Sequence, residues 1–92
     1  MKLQYTANAL RRLRNIVDQR GNKVGTQIAD RAEELEGHPE LGPEEQNLVH
    51  HGKGHRSLLV GTLYKIVYLI VFPVILITDI FDVRQDPDKM KP

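Results

Sequence analysis

The chain has 92 residues, 40% of them hydrophobic, with no cysteine and a formal net charge of +1. This describes one small domain, residues 1–92, with a modest core that a partner would help to cover; the lack of cysteine excludes disulfides and thiolate chemistry and fits a reducing cytosol. Residues 1–31 carry seven Lys/Arg against Asp18 and Asp30, residues 33–45 carry six Glu and no base, and residues 46–78 carry Lys53, Arg56 and Lys65 and no acid, so a basic face and a separate acidic segment are expected.

The N-terminus, "MKLQYTANALRRLR", places arginines where a signal peptide needs its apolar region, so no secretory signal is expected. Lys2–Thr6 is a strand candidate, after which the Thr6 hydroxyl can cap a helix. Ala9, Leu10, Leu13, Ile16 and Val17 form one apolar stripe, with Arg11, Arg12 and Arg14 elsewhere on that helix as a solvated face. Gly21 ends it. A second helix is predicted from Asn22 to Glu36, with Val24, Ile28, Ala32 and Leu35 on one face and Gly37 past its end. Glu33, Glu34 and Glu36 oppose the macrodipole at its C-terminus.

"GHPELGPEE" reads as a loop, and Gln46–His50 as a weak strand before the turn "HGKGH". His50, His51 and His55 with Lys53 and Arg56 offer a general acid/base pair beside phosphate-binding cations, although a polar turn between strands explains them more simply. On a strand, the adjacent His50 and His51 would point to opposite faces, and no carboxylate or cysteine is near in sequence, so no metal site is expected.

From Leu58 to Thr78 the chain runs for 21 residues with Lys65 as its one charge. That is about the length of a membrane-spanning helix, roughly 20 apolar residues. Pro73 stands inside the run, its residues are mostly β-branched or aromatic, and it divides into Arg56–Thr62, Leu63–Val71 and Val74–Asp82. Three consecutive antiparallel strands fit better than a membrane helix. Along Leu63–Val71 both faces are mostly apolar, as in a central strand covered twice. Tyr64, Ile66, Tyr68 and Ile70 share one face, and the tyrosines read as core. The other face, Leu63, Lys65, Val67, Leu69 and Val71, is either an apolar docking groove or is covered by the chain's own tail or a second copy. The predicted fold is α+β, in the order β-α-α-β-β-β: a helical hairpin on an antiparallel-rich sheet.

"HPELG", then "HRSLLVGTLYKIVY", then "ITDIFDVRQDPDKM" resemble the RelE/ParE superfamily of bacterial toxins in their order and spacing. Each motif is short; together they cover nearly the whole chain. The resemblance implies one half of a type II toxin–antitoxin pair of the plasmid-stabilisation kind. Its cytoplasmic partner would be a small, partly disordered antitoxin that folds as it binds the groove of Leu63, Lys65, Val67, Leu69 and Val71.

The superfamily includes RelE-like members, which cut mRNA on the ribosome, and ParE-like members, which bind DNA gyrase and are not nucleases. Cleavage needs proton-transfer groups and cations around phosphorus. By resemblance, Lys65 and Arg84 match the basic positions of cutting members, and Arg56 and His55 would complete a catalytic set if this chain cuts RNA. "VRQDPDKMKP" lacks the terminal Tyr or His expected of such an enzyme, and Asp79, Asp82, Asp86 and Asp88 add negative charge where RNA would approach. Arg-Gln-Asp-Pro is similar to a ParE-type ending, which favours gyrase as the target; the alternatives are an mRNA endoribonuclease and a non-toxic member that only binds its antitoxin. No phosphate loop, Ser-His-Asp set or paired-carboxylate motif is present, and no cofactor is expected.

Overall fold

A computed structural model describes residues 1–92. In chain order it contains β1 (Lys2–Tyr5), α1 (Ala7–Arg20), α2 (Asn22–Gly37), a 3-10 segment (Gln46–His51), β2 (Arg56–Val60), β3 (Tyr64–Val71), β4 (Val74–Asp82) and a short 3-10 turn (Pro87–Lys89). The α+β order read from the sequence is the observed one.

Thr6 starts α1 as expected, its Oγ1 accepting from the Ala9 amide at 3.1 Å. Gly21 separates the two helices alone, with φ at 95° in the region that favours glycine, and its amide closes α1 on the Val17 carbonyl. The hairpin is tight. A Cβ at Gly25 would lie 2.5 Å from Val17 Cγ2, so α2 crosses α1 at a distance that a side chain there would prevent. Gly37 falls inside α2, whose end is His38, with its amide bonded to the Glu34 carbonyl at 3.1 Å.

The sheet order is β1-β4-β3-β2. β2, β3 and β4 form the expected antiparallel meander, and β1 joins β4 in parallel, Lys2 opposite Val74 and Tyr5 opposite Ile77. The long apolar run is therefore spent on strands and turns; no helix is long and apolar enough to cross a membrane. Val67 pairs with Asp79 and Tyr68 with Ile77, leaving Thr78 as an extra residue. Such a bulge reverses the alternation, so Ile75, Ile77 and Ile80 all reach the main core.

That core lies between helices and sheet: Ala9, Ile28, Ala32 and Leu35 meet Leu58, Tyr64, Ile66, Tyr68 and the three β4 isoleucines. A smaller cluster on the sheet's other face joins Val67 and Phe81 to Leu48 and Met90.

The expected strand Gln46–His50 is a 3-10 helix instead. Glu45 accepts from the Asn47 amide at its start, and Gly52, at φ 67°, closes its end on the Val49 carbonyl. These local bonds satisfy the backbone without a ladder, and Leu48 alone of the segment is buried. With no strand there, His50 and His51 do not take opposite faces; their rings lie tilted against each other with centroids 4.3 Å apart.

Candidate functional site

The sheet face turned away from the helices is organised around Lys65. Side chains alternate along β3, which puts Lys65 beside Val67 and beside Leu59 of β2. A lone ammonium among apolar strands needs a counter-charge, and the loop after α2 provides one. It runs along the outer edge of β2, with the Ser57 amide donating to Pro43 O at 3.0 Å and the Glu45 amide to His55 O at 2.9 Å. Gly42 allows the loop to lie so close, since a Cβ there would stand 2.4 Å from Ser57 O. Tyr68 holds the same turn from beneath, its hydroxyl donating to Pro39 O at 2.7 Å and accepting from the Gly42 amide at 3.0 Å.

Glu45 is 2% exposed. One carboxylate oxygen accepts from Lys65 Nζ at 2.9 Å and Ser57 Oγ at 2.8 Å, the other from the Asn47 amide and side chain, both at 2.9 Å. Burial alone would raise its pKa; the bonds from Lys65, Asn47 and Ser57, with the charge on Lys65, outweigh this and hold it down to about 2. Beside the pair, Arg31, Leu41 and Leu59 border a shallow depression of about 480 Å³ at the edge of β2. Leu41 and Leu59 are exposed, and Arg31 Nε donates to the Leu59 carbonyl at 3.1 Å.

The four residues expected for RNA cleavage are placed apart. Lys65 is paired with Glu45. Arg56 is the cross-strand partner of Tyr68, on the helix side, and donates to the Gly42 carbonyl at 2.7 Å. Arg84 forms a two-pronged pair with Asp82, at 2.7 and 3.0 Å, that holds the Asp82 carboxyl below its usual range and raises the guanidinium pKa. His55 is 2% exposed, and neither ring nitrogen has a hydrogen-bond partner. Burial first, then the charges of His51 and Lys53, lower its pKa and favour the neutral ring. Lys65 and Arg56 lie on opposite faces of the sheet and Arg84 beyond β4, so the set does not converge.

The groove expected on β3 is largely filled by the chain itself. Val67 is fully buried with Leu48, Phe81 and Met90, Leu63 packs against the helix-side core, and Lys65 is bound to Glu45. Leu69 is half-buried and Val71 exposed, and Phe72, 84% exposed, follows at the hairpin tip. Of the two covers considered for this face, the structure has the chain's own tail.

Glu45, Ser57 and Asn47 were not distinguishable as site residues in the sequence. The usable signal was Lys65: a charge inside a buried strand implies a carboxylate nearby.

No family model matches the chain, and no curated protein does. Among solved structures, a chain of the one titled "Chromosomal ParDE TA system from P. aeruginosa" is similar over 89% of this chain and 95% of its own, with a TM-score of 0.69 and 20% identity. The likeness establishes a shared fold.

Proposed function

We propose that this chain is the toxin of a type II toxin–antitoxin module, kept inactive in the cytoplasm by a cognate antitoxin, and that it is a ParE-like inhibitor of DNA gyrase. The observation that carries the reading is the fold shared, over nearly the full length of both chains, with a member of a ParDE system. The placement of the basic residues supports gyrase over RNA as target. Cleavage needs a base, an acid and a phosphate-neutralising cation around one phosphorus, whereas Lys65, Arg56 and Arg84 are each engaged in a separate internal contact and His55 is enclosed.

The antitoxin surface in this reading includes Leu59 and Leu41 at the edge of β2, the open margin of Lys65, and Leu69 and Val71 of the groove. All lie on or near the sheet face away from the helices, where the chain's own tail leaves these apolar side chains partly or wholly uncovered.

The test is expression of the chain alone in growing bacteria, with pulse labelling of DNA and protein synthesis. Early arrest of DNA synthesis, with loss of supercoiling activity when purified gyrase is mixed with the chain, is the expected result. Earlier arrest of protein synthesis would replace gyrase by mRNA, and unimpaired growth would leave a non-toxic antitoxin-binding protein.

A further inference from the structure

A second concavity lies on the helix side of the sheet, a cleft of about 170 Å³ between α1 and the residues that follow β4. Arg12, Asn15, Gln19 and Arg20 line it from one face of α1, Asp82 and Arg84 form the opposite wall, and Tyr64 lies between them. Two of its three guanidinium groups are matched by carboxylates, Arg84 by Asp82 and Arg12 by Asp79, which leaves the charge of Arg20 in excess. Arg84 is committed to Asp82, and Arg12 to Asp79 at 3.6 Å and to the Lys89 carbonyl at 3.3 Å. The Arg20 guanidinium makes no hydrogen bond and no ion pair, although its charge also acts on Asp82, and the Asn15 and Gln19 amides make no side-chain bonds, so the exposed α1 wall presents donors open to a ligand.

Tyr64 is the independent observation. It is 5% exposed and packed in the main core, yet its hydroxyl has no protein partner. Unlike the His55 nitrogens it is not sealed off, and the ring borders the cleft between Arg20 and Arg84. The hydroxyl reaches solvent at the cleft wall, where it is free to donate to a bound ligand.

We propose that this cleft binds a phosphoryl group, with Arg20 as the principal charge and Tyr64, Asn15 and Gln19 as orienting donors. A tetrahedral phosphoryl group offers acceptor oxygens in several directions, which suits donors arriving from α1 and from the sheet, and a guanidinium fork matches its geometry. The cleft is too small and too polar for a bulky apolar ligand. The group belongs either to a free phosphate ester or to the backbone of a nucleic-acid strand. This inference stands on the cleft alone and does not depend on the toxin reading.

Isothermal titration calorimetry of the full chain with inorganic phosphate, and separately with a single-stranded hexanucleotide lacking terminal phosphates, tests it. Saturable binding of one or both is expected, weakened about tenfold by Arg20→Gln and about threefold by Tyr64→Phe, at unchanged melting temperature. Arg14→Gln, an exposed charge on the same helix outside the cleft, should change affinity by less than about twofold. Phosphate alone binding identifies small esters; hexanucleotide binding identifies a strand. The proposal is overturned if neither binds saturably, or if Arg14→Gln weakens binding as much as Arg20→Gln does.

Discussion

Glu45 and Lys65 meet at 2.9 Å across the margin of the sheet, the carboxylate enclosed and the ammonium still partly open to solvent. The pair fixes the loop after α2 against β2 and β3. Removing the lysine alone strands a buried charge, so Lys65→Ala should cost about 3–5 kcal/mol. The double variant Glu45→Gln/Lys65→Met should cost less than Lys65→Ala. Urea titrations of the parent and the two variants measure this, and equal losses would mean that the stranded Glu45 charge carries no penalty. A loss of toxicity in Lys65→Ala is therefore interpretable only beside its stability.

Acid should weaken the fold in two stages. The neutral, enclosed His55 has a lowered folded pKa, so below its ordinary value of 6.5 the unfolded chain binds the proton more readily and stability falls. Glu45, at about 2 when folded against 4.5 ordinarily, contributes stability that is complete above 4.5 and lost as the pH drops towards 2. That contribution is on the order of 2–3 kcal/mol. Melting temperatures from pH 8 to pH 3 follow both stages. His55→Phe should flatten the upper stage and leave the lower one; an unchanged upper stage would assign it to another group.

Gly42→Ala should destabilise by about 2–4 kcal/mol, because its new methyl would meet the Ser57 backbone oxygen and the Tyr68 ring, neither of which can move aside cheaply. Tyr68→Phe, which removes the hydroxyl's bonds to Pro39 and Gly42 but keeps the ring, should cost about 1–2 kcal/mol. Denaturation midpoints rank the two, and a silent Gly42→Ala would show that the loop can lift off β2.

Met90→Ala should cost about 2–3 kcal/mol by opening the small cluster of Leu48, Val67 and Phe81. Lys89→Ala, one residue earlier and exposed, should cost under about 0.5 kcal/mol. If the antitoxin occupies the outer margin of this sheet face, bound antitoxin should raise the melting temperature of Met90→Ala and of the parent chain alike.

The sheet was legible where residue type and turn chemistry agreed. β4 runs from Val74 to Asp82 as read, and β2 and β3 are shortened only where the turn at Gly61–Leu63 begins. Gln46–His51 misled because Leu48 and Val49 suggest a strand while the Glu45 cap and the left-handed Gly52 act locally. Met90 gave no sign of its role, because a lone methionine in a polar tail has no periodicity to betray a buried position. The site was the least legible. Lys65 stood out as the charge within the strands, but which of six glutamates met it depended on the path of an eight-residue loop over the sheet edge, a matter of tertiary packing.

The parallel pairing of β1 with β4 has a consequence for synthesis. Lys2 is made well before its partner Val74, with both helices, β2 and β3 between them in the chain. Until then the helical hairpin has no sheet to cover and β1 has no neighbour, so closure of the core waits on long-range contacts that form slowly. The nascent domain thus waits for β4 before it takes its final shape, and activity that requires the closed sheet would begin only once that strand has been made.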